Sequence, residues 1–266
     1  MTLAPLWQKF EQGSIRCINL QDRHDRKHAV SKVFQQLQMP VQFFETTRDL
    51  KGGERGCFES HRAVMRECLS NPNCQYALIL EDDVDVLQMP TEETVLEVIR
   101  FLETEKDWAL LFLGALLNNR HSKLPHYKHI LKAHCLETHA YIASRSFMQE
   151  FVNVSYETFY APIDTLFRDH NKAYTVYPTW FYQTNSPSDI VPLSMYKRLP
   201  FVNKKIAHLR NVCAHKIHIP FAKESSYYFN IPLMLLLLTC LVIVISLLIV
   251  CFIQWCKSKC HRHRSK

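Results

Sequence analysis

The sequence predicts an α/β domain with a mostly parallel sheet, followed by one transmembrane helix. Strand-like and helix-like runs alternate within residues 1–190, a pattern typical of a parallel sheet covered by helices on both faces. Residues 231–253 are then uncharged and mostly Leu, Ile and Val. As a helix this segment would span roughly 35 Å, which is enough to cross a hydrocarbon core of about 30 Å.

The alternation can be followed element by element. The predicted strands are the apolar runs Ile15–Leu20, Val41–Glu45, Tyr76–Leu80 and Trp108–Leu113, the last ended by Gly114. The predicted helices have apolar residues at helical spacing and cover Asp25–Leu37, Cys57–Leu69 and Thr91–Glu105. Three of the five glycines, Gly52, Gly53 and Gly56, precede the second of these helices. Their clustering indicates unusual backbone angles or a close approach there.

Charge divides the chain into a domain and a basic membrane-proximal region. Residues 1–190 contain 20 Lys and Arg against 24 Asp and Glu, whereas residues 191–266 contain 12 basic residues and one acidic residue. We therefore predict a folded domain over 1–190, a basic connector over 191–230, a membrane span over 231–253 and a basic tail over 254–266. Positive charge on both sides of the span suits anionic lipid headgroups. A nucleic-acid partner is not expected, because the folded domain lacks clustered basic residues.

The side of the membrane that the domain faces is left open by the sequence. Met1 to Cys17 has no apolar core of a signal peptide, so the anchor is expected to be C-terminal. Basic residues in the tail favour a cytosolic C-terminus, but the connector is equally basic, and Asn153-Val154-Ser155 is a glycosylation sequon. The ten cysteines indicate neither a disulfide framework nor zinc-type cysteine pairs. Cys256 and Cys260 could accept palmitate or be ordinary membrane-helix cysteines.

The segment Glu81-Asp82-Asp83-Val84-Asp85 carries the clearest chemical signal. It places four carboxylates in five positions directly after the apolar run Tyr76–Leu80. Crowded carboxylates resist ionisation together unless a cation neutralises them, and Mg²⁺ and Mn²⁺ prefer such oxygen ligands, often shared with substrate phosphates. A solvated acidic turn is the alternative. Phosphoesterases, nucleases and sugar transferases can all use carboxylates of this type, so the segment alone does not choose a reaction.

Six landmarks taken in order make the chain resemble glycosyltransferase family 25, which includes lipooligosaccharide sugar transferases and collagen galactosyltransferases. They are Ile18-Asn19-Leu20 with Arg23 and Arg26, then Gly53-Glu54-Arg55-Gly56-Cys57 leading to Ser60-His61, then Glu81-Asp82-Asp83, His139-Ala140-Tyr141, Pro162-Ile163-Asp164, and Gln183 with Ser188-Asp189-Ile190. The resembling stretch runs from about Ile15 to Ile190. Arg55 departs from the family pattern, where an apolar residue is more common, so local packing is expected to differ there.

The resemblance implies a glycosyltransferase A fold, which is Rossmann-like, and a set of site residues. The nucleotide would lie near Asn19, Leu20, Arg23, Arg26, Gly53, Ser60, His61 and Asp82, with an arginine meeting phosphate. Asp83 and Asp85 are the implied metal ligands, with Asp82 a close competitor, and His139 would line the site or complete the coordination. Alternatively, His139 is a hydrogen-bonded structural histidine, and Ser60 and His61 are structural.

The resemblance also implies an inverting transfer, which needs a base for the acceptor hydroxyl. Asp164 is the first choice, although after Pro162 it could simply begin a helix that runs to His170. The predicted function is a metal-dependent glycosyltransferase that uses Mn²⁺ or Mg²⁺ and a nucleotide-diphospho-sugar. The donor is expected to be a UDP-sugar, with galactose as a candidate sugar, and the acceptor a glycan or a protein. A non-catalytic, membrane-tethered scaffold is the alternative. A metal-dependent phosphoesterase is less favoured because close His ligand pairs are missing. Residues 116–132 are interpreted as a surface loop or an acceptor loop.

Overall fold

A computed structural model describes residues 3–159 and 162–184, with side chains at all of these positions except 116–121. The helices are α1 (Ala4–Trp7), α2 (His24–Gln36), α3 (Gly53–Ser70), α4 (Glu92–Thr104), α5 (Arg145–Phe151), α6 (Tyr156–Phe159) and α7 (Ile163–Arg168). The strands are β1 (Ile15–Leu20), β2 (Gln42–Thr46), β3 (Tyr76–Glu81), β4 (Val84–Val86), β5 (Leu110–Lys123), β6 (Ile130–Ser144), β7 (Ala173–Val176) and β8 (Phe181–Gln183).

The main sheet has six strands in the order β2-β1-β3-β6-β5-β7. The pairs β1–β2, β1–β3 and β5–β7 are parallel, and only β6 runs antiparallel to its neighbours in this order. The predicted α/β class with a mostly parallel sheet is therefore confirmed. A separate two-stranded sheet joins β4 to β8 in antiparallel pairing, and it brings the chain near residue 183 back to the acidic segment.

Helices cover both faces of the main sheet, because its central strands are apolar on both sides. On β3, Leu78 and Leu80 join the core that also contains Val30 of α2 and Phe101 of α4. The opposite face of the same strand packs against a second core formed by side chains of α3, α5 and α7, among them Phe58, Phe147, Phe151 and Phe167. These two layers leave the carboxyl ends of β1, β2 and β3 at one edge, where ligands bind in open α/β sheets.

Most predicted elements agree with the structure to within a residue or two, and α4 shows why. Thr91 is its N-cap, with its hydroxyl accepting a hydrogen bond from the Thr94 N–H. Glu92 and Glu93 occupy its first turn, where negative charge is favourable to the helix dipole. Val95, Val98 and Leu102 then face the core at helical spacing.

Two expectations about the middle of the chain are wrong. Gly114 does not end the fourth strand: β5 continues to Lys123, with a register shift on each side of Gly114 in its pairing with β6. Residues 116–132 are therefore not one surface loop, because β5 and β6 pair through Lys123 opposite Leu131. The turn between them covers only residues 124–129. A long hairpin satisfies the backbone groups that a loop would leave to solvent.

The predicted membrane region lies outside the described residues. This applies to the connector over 191–230, the span over 231–253 and the tail over 254–266, including Cys256 and Cys260. It also applies to the landmark Ser188-Asp189-Ile190. Within residues 3–159 and 162–184, no helix has the length and apolar character needed to cross a membrane.

Candidate functional site

A cleft of about 220 Å³ opens at the carboxyl ends of β1, β2 and β3, beside the first two turns of α3. Carboxylates from the end of β3 lie on one side of it, and small side chains of α3 lie on another. Its lining residues are Ile18, Leu20, Arg26, Thr46, Thr47, Arg48, Asp49, Gly53, Gly56, Cys57, Ser60, His61, Glu81, Asp82, Asp83 and Gln183. We call this the first cleft.

Asp82 is buried and held by two donors from the first βα unit. Asn19 donates from Nδ2 to Asp82 Oδ2 at 2.8 Å, and Arg26 donates from Nη1 to Asp82 Oδ1 at 2.8 Å. Arg26 Nη1 also lies 3.4 Å from Asp83 Oδ2. Asn19 does not line the first cleft, so its visible role is to fix Asp82, whereas Leu20 and Arg26 do line it. The structure thus brings two of the predicted nucleotide-site residues, Asn19 and Arg26, into contact with the acidic segment.

Asp83 is a buried carboxylate whose ionised form is disfavoured by its surroundings. Its Oδ2 accepts a hydrogen bond from Gln183 Nε2 at 3.1 Å, and its carbonyl accepts one from the Thr184 N–H at 2.7 Å. Its buried Oδ1 has no hydrogen-bond partner among the described residues. Burial, followed by the nearby charge of Glu81, raises the pKa of Asp83 to about 8. A cation placed at Asp83 would relieve this repulsion.

Asp85 does not line the first cleft. Together with Asp25, Arg26, Ala29, Val30, Val33, Asp82, Asp83, Val84 and Thr184, it lines a second cleft of about 200 Å³. Tyr182 donates its hydroxyl to Asp85 Oδ2 at 3.0 Å, and the Val86 N–H donates to Asp85 Oδ1 at 2.7 Å. Arg26, Asp82 and Asp83 border both clefts, so these three residues form the partition between them.

Asp83 fits the predicted site for Mg²⁺ or Mn²⁺. Asp85 and His139, the other predicted ligands, do not come together with it in one cluster. The buried, unpartnered Oδ1 of Asp83 is an oxygen ligand of the type that Mg²⁺ and Mn²⁺ use. Asp85 could share the ion from the second cleft, since these metals are often held by one or two carboxylates together with substrate phosphates. No group of three ligand atoms is formed by Asp83, Asp85 and His139 in the described part of the chain.

The start of α3 places backbone N–H groups and small residues against the first cleft. Gly52 precedes the helix with φ of 125°, a conformation that favours glycine, and no side chain caps the helix. Gly53, Gly56, Cys57 and Ser60 all line the cleft. The expectation of special backbone geometry is met at Gly52, whereas Gly53 and Gly56 are helical. Free N–H groups and the helix dipole make such an end favourable for a phosphate.

Gly56 and Arg55 fasten this helix start to the loop after β2. A Cβ at Gly56 would lie 3.0 Å from the Asp49 Cβ, so the close approach requires a small residue. Arg55, the departure from the family pattern, forms an ion pair with Asp49 and donates from Nε to Glu157 Oε1 at 3.3 Å. The unusual arginine is therefore accommodated by carboxylates at the protein surface. Ser60 donates its hydroxyl to the Gly56 carbonyl at 2.6 Å.

His61 lies at the base of the first cleft in contact with two other polar side chains. Its Nδ1 is 2.7 Å from the Tyr141 hydroxyl, and its Nε2 is 3.4 Å from Glu81 Oε1. Thr138 donates its hydroxyl to the same Glu81 oxygen at 2.6 Å. A ligand atom of Cys57, one of His61 and one of Glu81 all lie within 4.8 Å of one another. We refer to Cys57, His61 and Glu81 as the thiol cluster.

His139 is completely buried and lines neither cleft. Burial lowers the pKa of His139 to about 4, so the ring is neutral near neutral pH. Its Nε2 packs against Gly114, where an added Cβ would lie 2.4 Å away. Glu137 Oε2 lies 3.7 Å from its Nδ1. The structure thus places this predicted metal ligand in the packing between β5, β6 and β8.

Two further predicted residues lie away from the clefts. Arg23 precedes α2 and donates from Nε to Asp25 Oδ1 at 3.0 Å, which directs it along the surface of that helix. Asp164 lies in the first turn of α7, directly after Pro162 at the N-cap position. Its charge contributes, after burial, Glu81 and Asp83, to the raised pKa of Cys57. Asp164 is therefore near the thiol cluster, but it is not among the residues that line either cleft.

Sequence reasoning missed several cleft residues. Thr46 ends β2, Thr47 and Arg48 follow it, and all three line the first cleft. The rule that ligands bind at the carboxyl ends of parallel strands could have pointed to them, because β2 was predicted as a strand. Gln183 was noted only as a weak landmark, and no local signal in the sequence shows that it contacts Asp83.

Comparison with known proteins agrees with the family that the motifs indicated. Residues 45–167 match the model of glycosyltransferase family 25, described as an LPS biosynthesis protein. The match confirms the predicted resemblance and the predicted class of enzyme, a glycosyltransferase. No curated protein matches the sequence of this chain.

Solved structures show weaker likenesses. A197 from STIV has a TM-score of 0.40 and 10% identity over 61% of this chain and 80% of that chain. A glycosyltransferase involved in the glycosylation of the major capsid of PBCV-1 has a TM-score of 0.38 and 11% identity over 66% and 94%. HddC from Yersinia pseudotuberculosis has a TM-score of 0.33 and 15% identity over 69% and 76%. We draw no conclusion about function from likenesses at this level.

Proposed function

Starting from the resemblance to glycosyltransferase family 25, we propose that this chain is a membrane-anchored, metal-dependent, inverting glycosyltransferase. It would transfer a sugar, with galactose as the candidate, from a nucleotide-diphospho-sugar such as a UDP-sugar to a glycan or protein acceptor. The observation that carries the proposal is the first cleft, which is lined by both the buried carboxylate of Asp83 and the uncapped start of α3. A glycosyltransferase A fold is supported by the mostly parallel sheet with its single antiparallel strand β6.

The donor is proposed to occupy the first cleft with its diphosphate between the acidic segment and the start of α3. The N–H groups of Gly53 and its neighbours can donate to phosphate oxygens there. Arg48 lines the same cleft and adds positive charge. Asp83 and Asp85 would hold the metal, which when bound neutralises the charge that develops on the leaving diphosphate. Gln183 and Arg26 keep the carboxylate of Asp83 in position from two sides.

The acceptor is proposed to approach the partition formed by Arg26, Asp82 and Asp83. Inversion requires a base within about 2.6–3.2 Å of the acceptor hydroxyl, directly or through one water. Asp164 stays the predicted base, and its position in the first turn of α7 requires the acceptor to enter beside Cys57.

Membrane attachment rests on the sequence of residues 231–253 alone. The uncharged segment, flanked by basic residues, is long enough for one crossing. A single C-terminal anchor would keep the domain close to a membrane-bound acceptor.

The test is turnover by the full-length chain, purified in a mild detergent, with a panel of nucleotide sugars in the presence of Mn²⁺, Mg²⁺ or EDTA. We expect one donor to be hydrolysed or transferred with metal and not with EDTA. The double variant Asp83→Asn, Asp85→Asn should lose this turnover. The matched control Asp107→Asn removes an exposed carboxylate that pairs with Lys172 and should retain it.

Folded wild-type protein that neither binds nor turns over any donor would refute the proposal. That result would favour the alternative, a membrane-tethered scaffold with a glycosyltransferase fold. Equal turnover in EDTA would refute the metal dependence alone.

A further inference from the structure

We propose that the thiol cluster, formed by Cys57, His61 and Glu81, binds a divalent transition-metal ion of the Zn²⁺ type at the base of the first cleft. This site is separate from the predicted oxygen-ligand site at Asp83 and Asp85. It does not rest on the proposed transfer reaction, since metal binding can be measured without donor or acceptor.

The three side chains offer the donor atoms that Zn²⁺ uses. One thiol sulfur, one imidazole nitrogen and one carboxylate oxygen lie within 4.8 Å of one another. Cys57 and His61 are four residues apart on α3, so the helix presents both on the same face. Glu81 comes from the end of β3. Zn²⁺ accepts mixed sulfur, nitrogen and oxygen ligands, whereas Mg²⁺ and Mn²⁺ prefer oxygen alone.

His61 provides the independent observation that points to a ligand. The residue is only 1% exposed, and its Nε2 makes only a 3.4 Å ion-pair contact with Glu81 Oε1 in place of a well-formed hydrogen bond. Its other ring nitrogen, Nδ1, is engaged by the Tyr141 hydroxyl at 2.7 Å. When Nδ1 carries the proton and donates to Tyr141, the lone pair of Nε2 faces Glu81, 3.4 Å away. Metal-binding histidines are commonly oriented by such a bond at the second nitrogen.

A hydrogen bond from a neighbouring side chain also orients the carboxylate of Glu81. Thr138 donates its hydroxyl to Glu81 Oε1 at 2.6 Å, and ligating carboxylates usually have such an outer partner. The carboxylates of Asp82 and Asp83 line the same cleft as the thiol cluster. A bound cation would compensate this charge and stabilise the thiolate.

The cluster is also accessible. Cys57, His61 and Glu81 all line the first cleft, so an ion could enter from solvent. Three protein ligands with one position open to a cleft are the arrangement of zinc sites that also bind a water or a substrate group. The ion would therefore lie where it can contact a ligand in the cleft.

The experiment is a titration of the full-length chain with Co²⁺, followed by competition with Zn²⁺. Co²⁺ bound to a thiolate gives a charge-transfer absorption that a site made only of oxygen ligands does not give. We expect wild type to bind one more equivalent than Cys57→Ser, with loss of this absorption in the variant. Comparison by difference removes any metal bound by Cys256, Cys260 and the neighbouring histidines of the tail.

Cys68→Ser is the matched control, because Cys68 is a buried thiol on the same helix but outside the cluster. It should retain the absorption. Glu81→Gln keeps the Cys57 thiol and should weaken Co²⁺ binding by at least about tenfold, because loss of even an outer-shell partner has an effect of this size. If Cys57→Ser fails to fold, Co²⁺ binding by Glu81→Gln tests the proposal in its place.

The proposal is overturned if wild type shows no thiolate-to-cobalt absorption, or if the absorption is equal in Cys57→Ser. It is also overturned if Glu81→Gln binds Co²⁺ as tightly as wild type. Donor turnover with Mn²⁺ is scored separately, so failure of the thiol cluster and failure of the proposed transferase activity are distinguishable.

Discussion

Gly114→Ala should destabilise the protein strongly, although it adds a single methyl group. A Cβ at this position would lie 2.4 Å from His139 Nε2, 2.8 Å from the Phe181 Cβ and 2.9 Å from His139 Cδ2. Neither neighbour can move away easily, because His139 and Phe181 are both fully buried and belong to different strands. Overpacking in a well-packed core costs about 1–3 kcal/mol, and contacts this short place the variant near the upper end.

Thermal unfolding of the full-length chain is the direct assay. For a domain of this size a loss of about 3 kcal/mol corresponds to a decrease in Tm of roughly 6–12 °C. Gly56→Ala is the control: its Cβ would lie 3.0 Å from the Asp49 Cβ and at ordinary contact distance, 3.6 Å, from the Asp49 backbone nitrogen, and alanine is the better helix former. We expect the control to change Tm much less.

A double-variant cycle tests whether His139 causes the effect. His139→Ala removes two of the three short contacts at Gly114, so the double variant should be less destabilised than the sum of the single variants by at least about 1 kcal/mol. The reasoning is refuted if the two substitutions are additive, or if Gly114→Ala unfolds at the same temperature as wild type.

Three further outcomes are expected. If Asp164 is the base, Asp164→Asn should lower kcat by about 100-fold or more without weakening donor binding, and an unchanged kcat would exclude the role. Arg26→Gln should lower the free energy of unfolding in urea by about 3–5 kcal/mol, because it leaves Asp82 buried without its cation, whereas Arg23→Gln should have a much smaller effect because the side chain of its partner Asp25 is 68% exposed. For His139, the folded pKa of about 4 lies below the usual 6.5, so its contribution to stability is present above pH 6.5 and is lost as pH falls to about 4. The loss in the free energy of unfolding should reach at most roughly 3 kcal/mol. In NMR spectra, the ring signals of His139 should be those of the neutral form at pH 5.5.

The elements of the fold that could be predicted are those with a local pattern. The apolar run that ends at Leu80 and the amphipathic run after Thr91 were located closely, because periodicity and capping act within a few residues. The extension of β5 beyond Gly114 was missed. A glycine normally weakens a strand, but here its lack of a side chain makes room for His139, a requirement that only the tertiary structure reveals.

Only part of the candidate site could be predicted from the sequence. Asn19, Arg26 and Asp82 were all predicted to lie near the nucleotide, and the structure joins the first two to Asp82. The thiol cluster was not predicted, since its Cys, His and Glu ligands have none of the cysteine-pair spacings that indicate zinc. His139 stands beside a strand in the sequence, and its distance from the clefts could not be inferred from that position.

The pairing of β4 with β8 has a consequence for how the site is assembled. The hydrogen bond from Gln183 to Asp83 joins residues 100 positions apart, so closing it costs more chain entropy than any contact within the first βα unit. Asn19, Arg26 and Asp82 can come together once the first three strands have formed, whereas Asp83 receives its last partners only when residues 183 and 184 arrive. During synthesis, the acidic segment would emerge long before the part of the chain that completes its coordination sphere. A protein shortened before Gln183 could thus keep its main sheet and still lack a finished site.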